Sequence, residues 1–150
     1  MAKVEYSLIP FVPANYEFVY NVKKTVYKKY VEENFGEWND DDQYKFMDEF
    51  VLSSADHIFI IVSNGEKIGF VNGKNLDDGS YEQGNLCILP NWQGKGIGTE
   101  ILQKVISEHS NQTIKLRVFK QNPAKNLYEK LGFEVVGETK SHFLMERKSK

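Results

Sequence analysis

The chain has 150 residues, of which 41% are hydrophobic and 27% are charged, and its formal net charge at pH 7 is -2. This length fits one domain, which is large enough to bury an ordinary core without disulfides or metal. The nearly balanced charge argues against non-specific nucleic-acid binding. One cysteine, Cys87, excludes an internal disulfide framework, and together with three histidines it leaves too few ligands for a typical zinc site.

The N-terminal residues and the hydropathy of the chain allow a prediction of its cellular compartment. The first residues lack a basic segment followed by a long apolar run, and no stretch approaches the ~20 apolar residues of a membrane span. A single cysteine also suits a reducing compartment. We therefore expect an unprocessed cytoplasmic protein, either a monomer or a homodimer, with no membrane or nucleic-acid partner.

A short strand and two amphipathic helices are predicted in the first third of the chain. Residues 3 to 9 predict the strand. From Asn15 onward, apolar residues recur at intervals of three and four, which predicts a helix that Gly36 ends. Asn39 offers an N-cap, and residues 40 to 42 offer an acidic first turn, for a second helix. The first helix is expected to carry a basic outer face formed by Lys23, Lys24, Lys28 and Lys29.

The link between these helices mixes acids with aromatic residues over positions 32 to 38. Such a mixture is able to line a pocket for an amine, which makes Glu33 and Trp38 candidate substrate-binding residues. The alternative is structural, because acids near helix ends and a packed tryptophan are ordinary features of proteins. Only the positions of these side chains decide between the two interpretations.

Strands separated by strong turn signals follow. They are predicted over residues 57 to 62, 67 to 76 and 80 to 89, with an Asn64-Gly65 turn and an Asp77-Asp78-Gly79 turn between them. Asn-Gly and Asp-Gly are hairpin signals, so these strands are expected to be antiparallel.

The remaining third predicts a βαβ unit and three closing elements. A helix over 96 to about 109 leads to an alternating strand over 113 to 119. Asn122 then caps a helix that Gly132 ends, with Pro123 at its first position. The last two strands are predicted over 133 to 136 and about 142 to 146. The fold class is therefore α/β, with a mixed sheet of about seven strands and about four helices on its faces.

A glycine-rich turn is the most informative stretch of the chain: Gln93-Gly94-Lys95-Gly96-Ile97-Gly98-Thr99-Glu100. Glycines at alternate positions let a ligand approach the backbone and permit positive φ. The first turn of the following helix adds unpaired amide donors and a positive dipole end, so we expect a phosphate or pyrophosphate. The spacing fits neither a P-loop nor a dinucleotide fingerprint. A tight turn without a ligand is the alternative.

Two motifs resemble those of the GNAT superfamily of N-acetyltransferases. The loop Gln93-Gly94-Lys95-Gly96-Ile97-Gly98 resembles the signature Q/R-x-x-G-x-G/A. The later segment Asn122-Pro123-Ala124-Lys125-Asn126-Leu127-Tyr128-Glu129-Lys130-Leu131-Gly132-Phe133 resembles N-x-x-A-x-x-L-Y-x-x-x-G-F. The motifs stand in the family's order, and the similarity in element order extends over nearly the whole chain. It implies a GNAT fold in a single domain over residues 1–150, with acetyl-CoA as co-substrate and no metal.

The resemblance also implies which residues hold acetyl-CoA. In the family, the loop holds the pyrophosphate, and backbone groups of the preceding strand hold the pantetheine arm and the acetyl oxygen. The matching positions are Leu86, Cys87, Ile88, Gln93, Gly94, Lys95, Gly96, Ile97, Gly98 and Thr99. The family asparagine usually lies seven residues before the tyrosine, whereas Asn122 lies six before Tyr128. Asn122 and Gln121 are therefore both candidates for the pantetheine contact.

Catalysis needs an acid and a base. Tyr128 matches the family tyrosine that protonates the leaving thiolate, and a tyrosine hydroxyl, of ordinary pKa about 10, is protonated at neutral pH. An acceptor amine of pKa about 10.4 is neutral in roughly one of 10³ molecules at pH 7, which costs about 4 to 5 kcal/mol unless a base or desolvation offsets it. Glu82 resembles the glutamate base of the histone-acetylating branch. Glu32, Glu33, His142 and an ordered water are the alternatives.

The expected reaction is direct transfer from acetyl-CoA to a primary amine of a small molecule or peptide. A ping-pong route through Cys87 is the alternative, but a cysteine inside an apolar strand is normally inert. Glu33, Trp38 and His142 are the candidate acceptor-binding residues. A non-catalytic acyl-CoA-binding regulatory module on the same fold is the competing function, and the presence of Tyr128 favours the enzyme.

Overall fold

The computed structural model describes residues 4–149, which contain seven β-strands and four α-helices. The strands are β1 (Ser7–Pro10), β2 (Ile58–Ser63), β3 (Glu66–Asn75), β4 (Tyr81–Ile88), β5 (Ile114–Phe119), β6 (Glu134–Glu138) and β7 (His142–Arg147). The helices are α1 (Tyr16–Phe35), α2 (Asp40–Ser54), α3 (Ile97–Glu108) and α4 (Ala124–Lys130). Within residues 4–149, no helix has the length and apolar character that a membrane span needs.

The strands form one sheet in the order β1-β2-β3-β4-β5-β7-β6. β4 and β5 pair in parallel, whereas the pairs β1–β2, β2–β3, β5–β7 and β6–β7 are antiparallel. The predicted α/β class, with a mixed sheet of about seven strands and about four helices, is confirmed.

The chain divides into two compact units. The first unit comprises Met1–Asn72 and Asn85–Ile97, and the second comprises Gly73–Gly84 and Gly98–Lys150. The expectation of a single domain stays a prediction.

The core of the first unit lies where α1 and α2 cover the strands. Its fully buried side chains come from both helices and from β2, β3 and β4, and include Val19, Val22, Met47, Ile58, Ile60, Phe70 and Cys87. Burial of this apolar face stabilises both helices, since most helical stability in proteins comes from packing of an amphipathic face.

The predicted boundaries of the two helices agree with the structure, but one predicted face does not. α1 ends at Gly36, which adopts φ 97°, and the Asn39 side chain accepts a hydrogen bond from the Asp42 amide at 2.9 Å. The prediction of a basic outer face on α1 is wrong at Lys23. This side chain is half-buried, and its ammonium lies 4.6 Å from the centre of the Phe50 ring. A long aliphatic stem allows a lysine to follow an apolar surface in this way.

The β2–β3 turn and the edge strand β1 each contain residues that suit their backbone environment. Asn64 and Gly65 both have positive φ, 52° and 75°, as the tight turn between antiparallel β2 and β3 requires. The first strand begins later than predicted and includes Pro10, which an edge strand tolerates because its outer N–H side needs no partner. Residue 3 lies outside the described residues.

The second unit packs α4 and part of α3 against β5 and β7. The buried side chains Ile114, Leu116, Val118, Phe133 and Met145 form its core. Parallel pairing places Tyr81 opposite Ile114, which confirms the predicted βαβ connection. α4 begins at Ala124, so Pro123 is its N-cap and not its first residue as predicted. The Asn122 side chain accepts a hydrogen bond from the Ala124 amide at 2.9 Å.

Candidate functional site

The glycine loop lies between β4 and α3 and has the backbone that its sequence predicts. Gly94 and Gly96 adopt φ 75° and 87°, a region that L side chains rarely occupy. A Cβ built on either glycine meets no heavy atom within 4 Å, so the loop faces open space. α3 begins at Ile97, whose side chain is buried and anchors the helix start. The first amides of α3 have no partner within the helix and are available to an anion.

Gln93 fixes this loop to the strand before it. Its side-chain nitrogen donates a hydrogen bond to the Ile88 carbonyl at 2.7 Å, and its main-chain N–H donates to the Pro90 carbonyl at 3.2 Å. The short 3-10 turn Pro90–Trp92 links the two segments. The motif glutamine therefore positions the loop, and its direct contact with a ligand stays a prediction.

The strand segment Leu86 to Ile88 lies unusually close to β3. A Cβ on Gly69 would stand 2.0 Å from the Cys87 carbonyl oxygen, a distance that no real Cβ contact has. Only glycine fits there. Sequence reasoning missed Gly69, although an isolated glycine inside a strand is itself a signal of close backbone approach.

Cys87 is fully buried in the core of the first unit. Burial raises the pKa of its thiol to about 12, although a hydrogen bond with Tyr27 and the nearby Lys23 charge act in the opposite direction. The thiol is therefore protonated at neutral pH and inaccessible. Both properties oppose the alternative of an acyl-cysteine intermediate, because the thiolate is the nucleophile.

Trp38 belongs to a hydrogen-bonded network at the joint of α1 and α2. Its indole N–H donates to Asp40 at 3.1 Å, and its main-chain N–H donates to Glu32 at 3.0 Å. The Tyr20 hydroxyl also donates to Asp40. We call the whole group the aromatic-acid network: Tyr16, Glu17, Tyr20, Lys24, Trp38, Asp40, Tyr44 and Asp48. Trp38 and Glu32 thus have structural contacts, while Glu33 is exposed; the acceptor roles of Glu33 and Trp38 stay predictions.

In the second unit, Glu82 is exposed on β4, opposite Lys115 of β5. Lys115 itself forms an ion pair with Asp78 at 2.9 Å. The adjacent Tyr81 stacks on His109 with the ring centres 3.7 Å apart. The role of Glu82 as the base stays a prediction.

Tyr128 is half-buried on α4. Its ring meets Phe133 edge-on at 5.8 Å and packs against the core of the second unit. The Asn122 side-chain oxygen caps the start of α4, which gives that residue a structural function whether or not it contacts pantetheine. Gln121 is exposed, and Gly98 and Thr99 lie in the first turn of α3.

His142 begins β7. Its ring packs on Phe119 at 4.1 Å, and its Nδ1 lies 2.7 Å from the Ser141 hydroxyl. Burial lowers the pKa of His142, and the nearby Arg117 charge makes a smaller contribution in the same direction. The imidazole is therefore neutral at pH 7 and able to accept a proton.

Comparisons with known proteins agree with this fold and loop. The family model described as an acetyltransferase (GNAT) domain matches residues 54–135, more than half of the chain. The chain therefore belongs to the GNAT acetyltransferase family, as the two motifs predicted, and that family is one of enzymes.

A curated relative and two solved structures add detail. The chain is 37% identical over 87 residues to the [ribosomal protein bS18]-alanine N-acetyltransferase of Haemophilus influenzae, a match that covers 55% of this chain and 58% of that protein. A structure from Pyrococcus horikoshii OT3 has a TM-score of 0.74 at 20% identity and covers 97% of this chain and 99% of its own. The PaiA N-acetyltransferase of Thermoplasma acidophilum, in complex with coenzyme A, has a TM-score of 0.70 at 20% identity and covers 96% and 99%. At such identities, the two structures show a shared fold.

Proposed function

We propose that this protein transfers the acetyl group of acetyl-CoA directly to a primary amine of a small molecule or a peptide. The observation that supports it most is the glycine loop. Gly94 and Gly96 combine positive φ with open space at their Cβ positions, and α3 begins immediately after them. A loop of this kind fits the pyrophosphate of coenzyme A, since its amides supply donors that no side chain shields.

The chemistry needs few groups. When bound, acetyl-CoA supplies the acetyl group as an activated thioester. Backbone groups of Leu86 to Ile88 hold the pantetheine arm and polarise the carbonyl. Glu82 takes the proton of the acceptor ammonium, and Tyr128 gives its hydroxyl proton to the departing thiolate. His142, neutral at pH 7, and an ordered water are the alternative bases.

The acceptor class draws on the relatives. The name of the Haemophilus influenzae protein gives an alanine of a ribosomal protein as its target, and that of the Thermoplasma acidophilum protein gives N-acetylation. Both support an amine acceptor for this chain. The matched stretch spans 58% of the first relative, so its particular target does not transfer to this chain.

The test compares two glycines with the same backbone conformation. Gly96 and Gly79 both adopt φ 87°, and a Cβ on either meets nothing within 4 Å. Gly96→Glu and Gly79→Glu therefore introduce the same strain and the same charge, but only the first lies in the loop. In calorimetric titration, Gly96→Glu is expected to lose acetyl-CoA binding while Gly79→Glu keeps the wild-type affinity. Equal affinity in both folded variants would remove the loop from the proposal.

Release of thiol from acetyl-CoA with a panel of polyamines, amino acids, aminoglycosides and peptides tests the reaction itself. Acetyl-CoA binding without thiol release for any acceptor would instead indicate the non-catalytic acyl-CoA-binding module.

A further inference from the structure

Lys23 differs from the other lysines with a described environment. Its ammonium lies over the Phe50 ring at 4.6 Å, and its side chain is half-buried. In the part of the chain from residue 4 to 149, no carboxylate forms an ion pair with it. By contrast, its neighbour Lys24 pairs with Asp40 at 3.0 Å. Lys23 is thus a partly desolvated cation without an anion.

A chain of hydrogen bonds connects polar side chains of α1, β3 and β4 in the first unit. Tyr27, one turn further along α1, donates its hydroxyl proton to the Asn85 side chain at 2.9 Å. The main chain and side chain of Asn85 donate to the Asn72 side chain at 2.8 and 3.0 Å. Cys87 interacts electrostatically with Lys23 and forms a hydrogen bond with Tyr27. We call Lys23, Tyr27, Asn72, Asn85 and Cys87 the polar cluster.

The polar cluster lies on the strand that the proposed function uses. Asn85 and Cys87 flank Leu86 on β4, and the backbone of this segment is proposed to hold the acetyl group. Lys23 interacts electrostatically with Cys87, so a ligand group bound by Lys23 lies near this segment. The amine and the group bound by Lys23 must belong to one small acceptor or to one end of a larger one.

Loss of water destabilises an ammonium unless an anion or a ring replaces the water. Burial accordingly lowers the pKa of Lys23. Several acids of the aromatic-acid network already accept hydrogen bonds from tyrosines: Glu17 from Tyr44, Asp40 from Tyr20 and Asp48 from Tyr16. Lys23 therefore remains a positive charge without a negative partner.

We propose that Lys23 binds an anionic group of the acceptor, a carboxylate or a phosphate, so that the acceptor is an amine that also carries an anion. The assignment to the acceptor rests on the proposed acetyl transfer, whereas anion binding by Lys23 does not. The two are therefore tested separately.

The first experiment measures anion binding without turnover. The ¹³Cε resonance of Lys23, in protein with labelled lysine, reports its titration in the presence of acetate or inorganic phosphate. Either anion is expected to raise the pKa of Lys23 saturably, because an opposite charge favours the ammonium. Lys29 is the control, since its ammonium lies over the Tyr30 ring at 4.9 Å but is exposed. A Lys23 titration that neither anion moves, or that shifts no more than that of Lys29, would overturn the anion site.

The second experiment uses matched acceptor pairs: β-alanine with β-alaninamide, and phosphoethanolamine with ethanolamine. Lys23→Met keeps the packing on Phe50 and removes the charge, so KM for the preferred anionic member is expected to rise ~10-fold or more, the scale of one charged contact. KM for the neutral members and the kcat values are expected to stay within about twofold. Lys29→Met is expected to change neither. Because each variant meets the same pairs, differences in amine basicity cancel, and the two pairs separate carboxylate from phosphate.

The combined outcomes distinguish the two proposals. Loss of acetyl-CoA binding or of all thiol release, with Lys23 still responding to anions, would overturn the proposed function and leave the anion site. If Lys23→Met has an unchanged unfolding midpoint and still prefers the anionic over the neutral acceptors as strongly as the wild type does, the assignment of Lys23 to the acceptor is overturned.

Discussion

At the scale of single residues, Tyr128 has two functions that one substitution can separate. Its ring packs against Phe133 and the core of the second unit, whereas its hydroxyl is the proposed acid. Tyr128→Phe keeps the ring and removes only the proton donor. Stability and acetyl-CoA affinity are therefore expected to change little, while turnover falls by ~10²-fold, the usual scale of general acid catalysis.

Single-turnover kinetics, where chemistry limits the rate, is the appropriate measurement. Tyr81→Phe serves as the control, because it removes a half-buried tyrosine hydroxyl of the same unit that has no proposed role. A loss of threefold or less in Tyr128→Phe would show that this tyrosine only packs, and that the proton comes from another group.

At the scale of elements, the close approach of β3 to β4 at Cys87 depends on Gly69. A methyl group on Gly69 would stand 2.0 Å from the Cys87 carbonyl, so the two strands must separate to accept it. Gly69→Ala is expected to destabilise the protein by ~3 kcal/mol or more, the range of strong overpacking. It also moves the backbone that is proposed to polarise the thioester, so activity should fall with it.

Gly137→Ala is the matched control for this strand glycine. A Cβ at Gly137 meets only the Leu144 side chain, at an ordinary 3.5 Å. Its effect is expected to stay within ~1 kcal/mol in urea unfolding, because alanine costs a strand little where it fits. Equal midpoints for the two variants would mean that β3 and β4 adjust freely.

At the scale of the whole molecule, the sequence predicts the element order because each element carries its own periodicity and end signals. The Asn39 cap, the Asn64-Gly65 turn and the loop glycines act locally, and the structure has them where the sequence places them. What sequence could not supply was position across elements. The inward turn of Lys23 depends on Phe50 of another helix, and the need for Gly69 depends on Cys87 of another strand. The roles of Glu82 and Tyr128 come from the resemblance to the family, and that of His142 comes from the ordinary pKa of an imidazole. All three stay predictions.

The pH dependence of global stability follows from the joint of α1 and α2. Hydrogen bonds from Tyr20, Lys24 and Trp38 lower the pKa of Asp40 from its usual 3.8 to about 2. The pKa of Asp40 is lower in the folded state than in the unfolded chain, so the ionised carboxylate stabilises the folded state. This stabilisation is complete above about pH 4 and is lost as the pH falls towards 2. Asp40 is exposed, so water and salt weaken the effect.

Asp40→Asn is expected to lower Tm at pH 6 and to match the wild type near pH 2. Asp41→Asn, one residue further along the exposed first turn, should show no such convergence. A Tm difference between Asp40→Asn and wild type that stays constant from pH 6 to pH 2 would mean that the charge of Asp40 does not stabilise the helix joint.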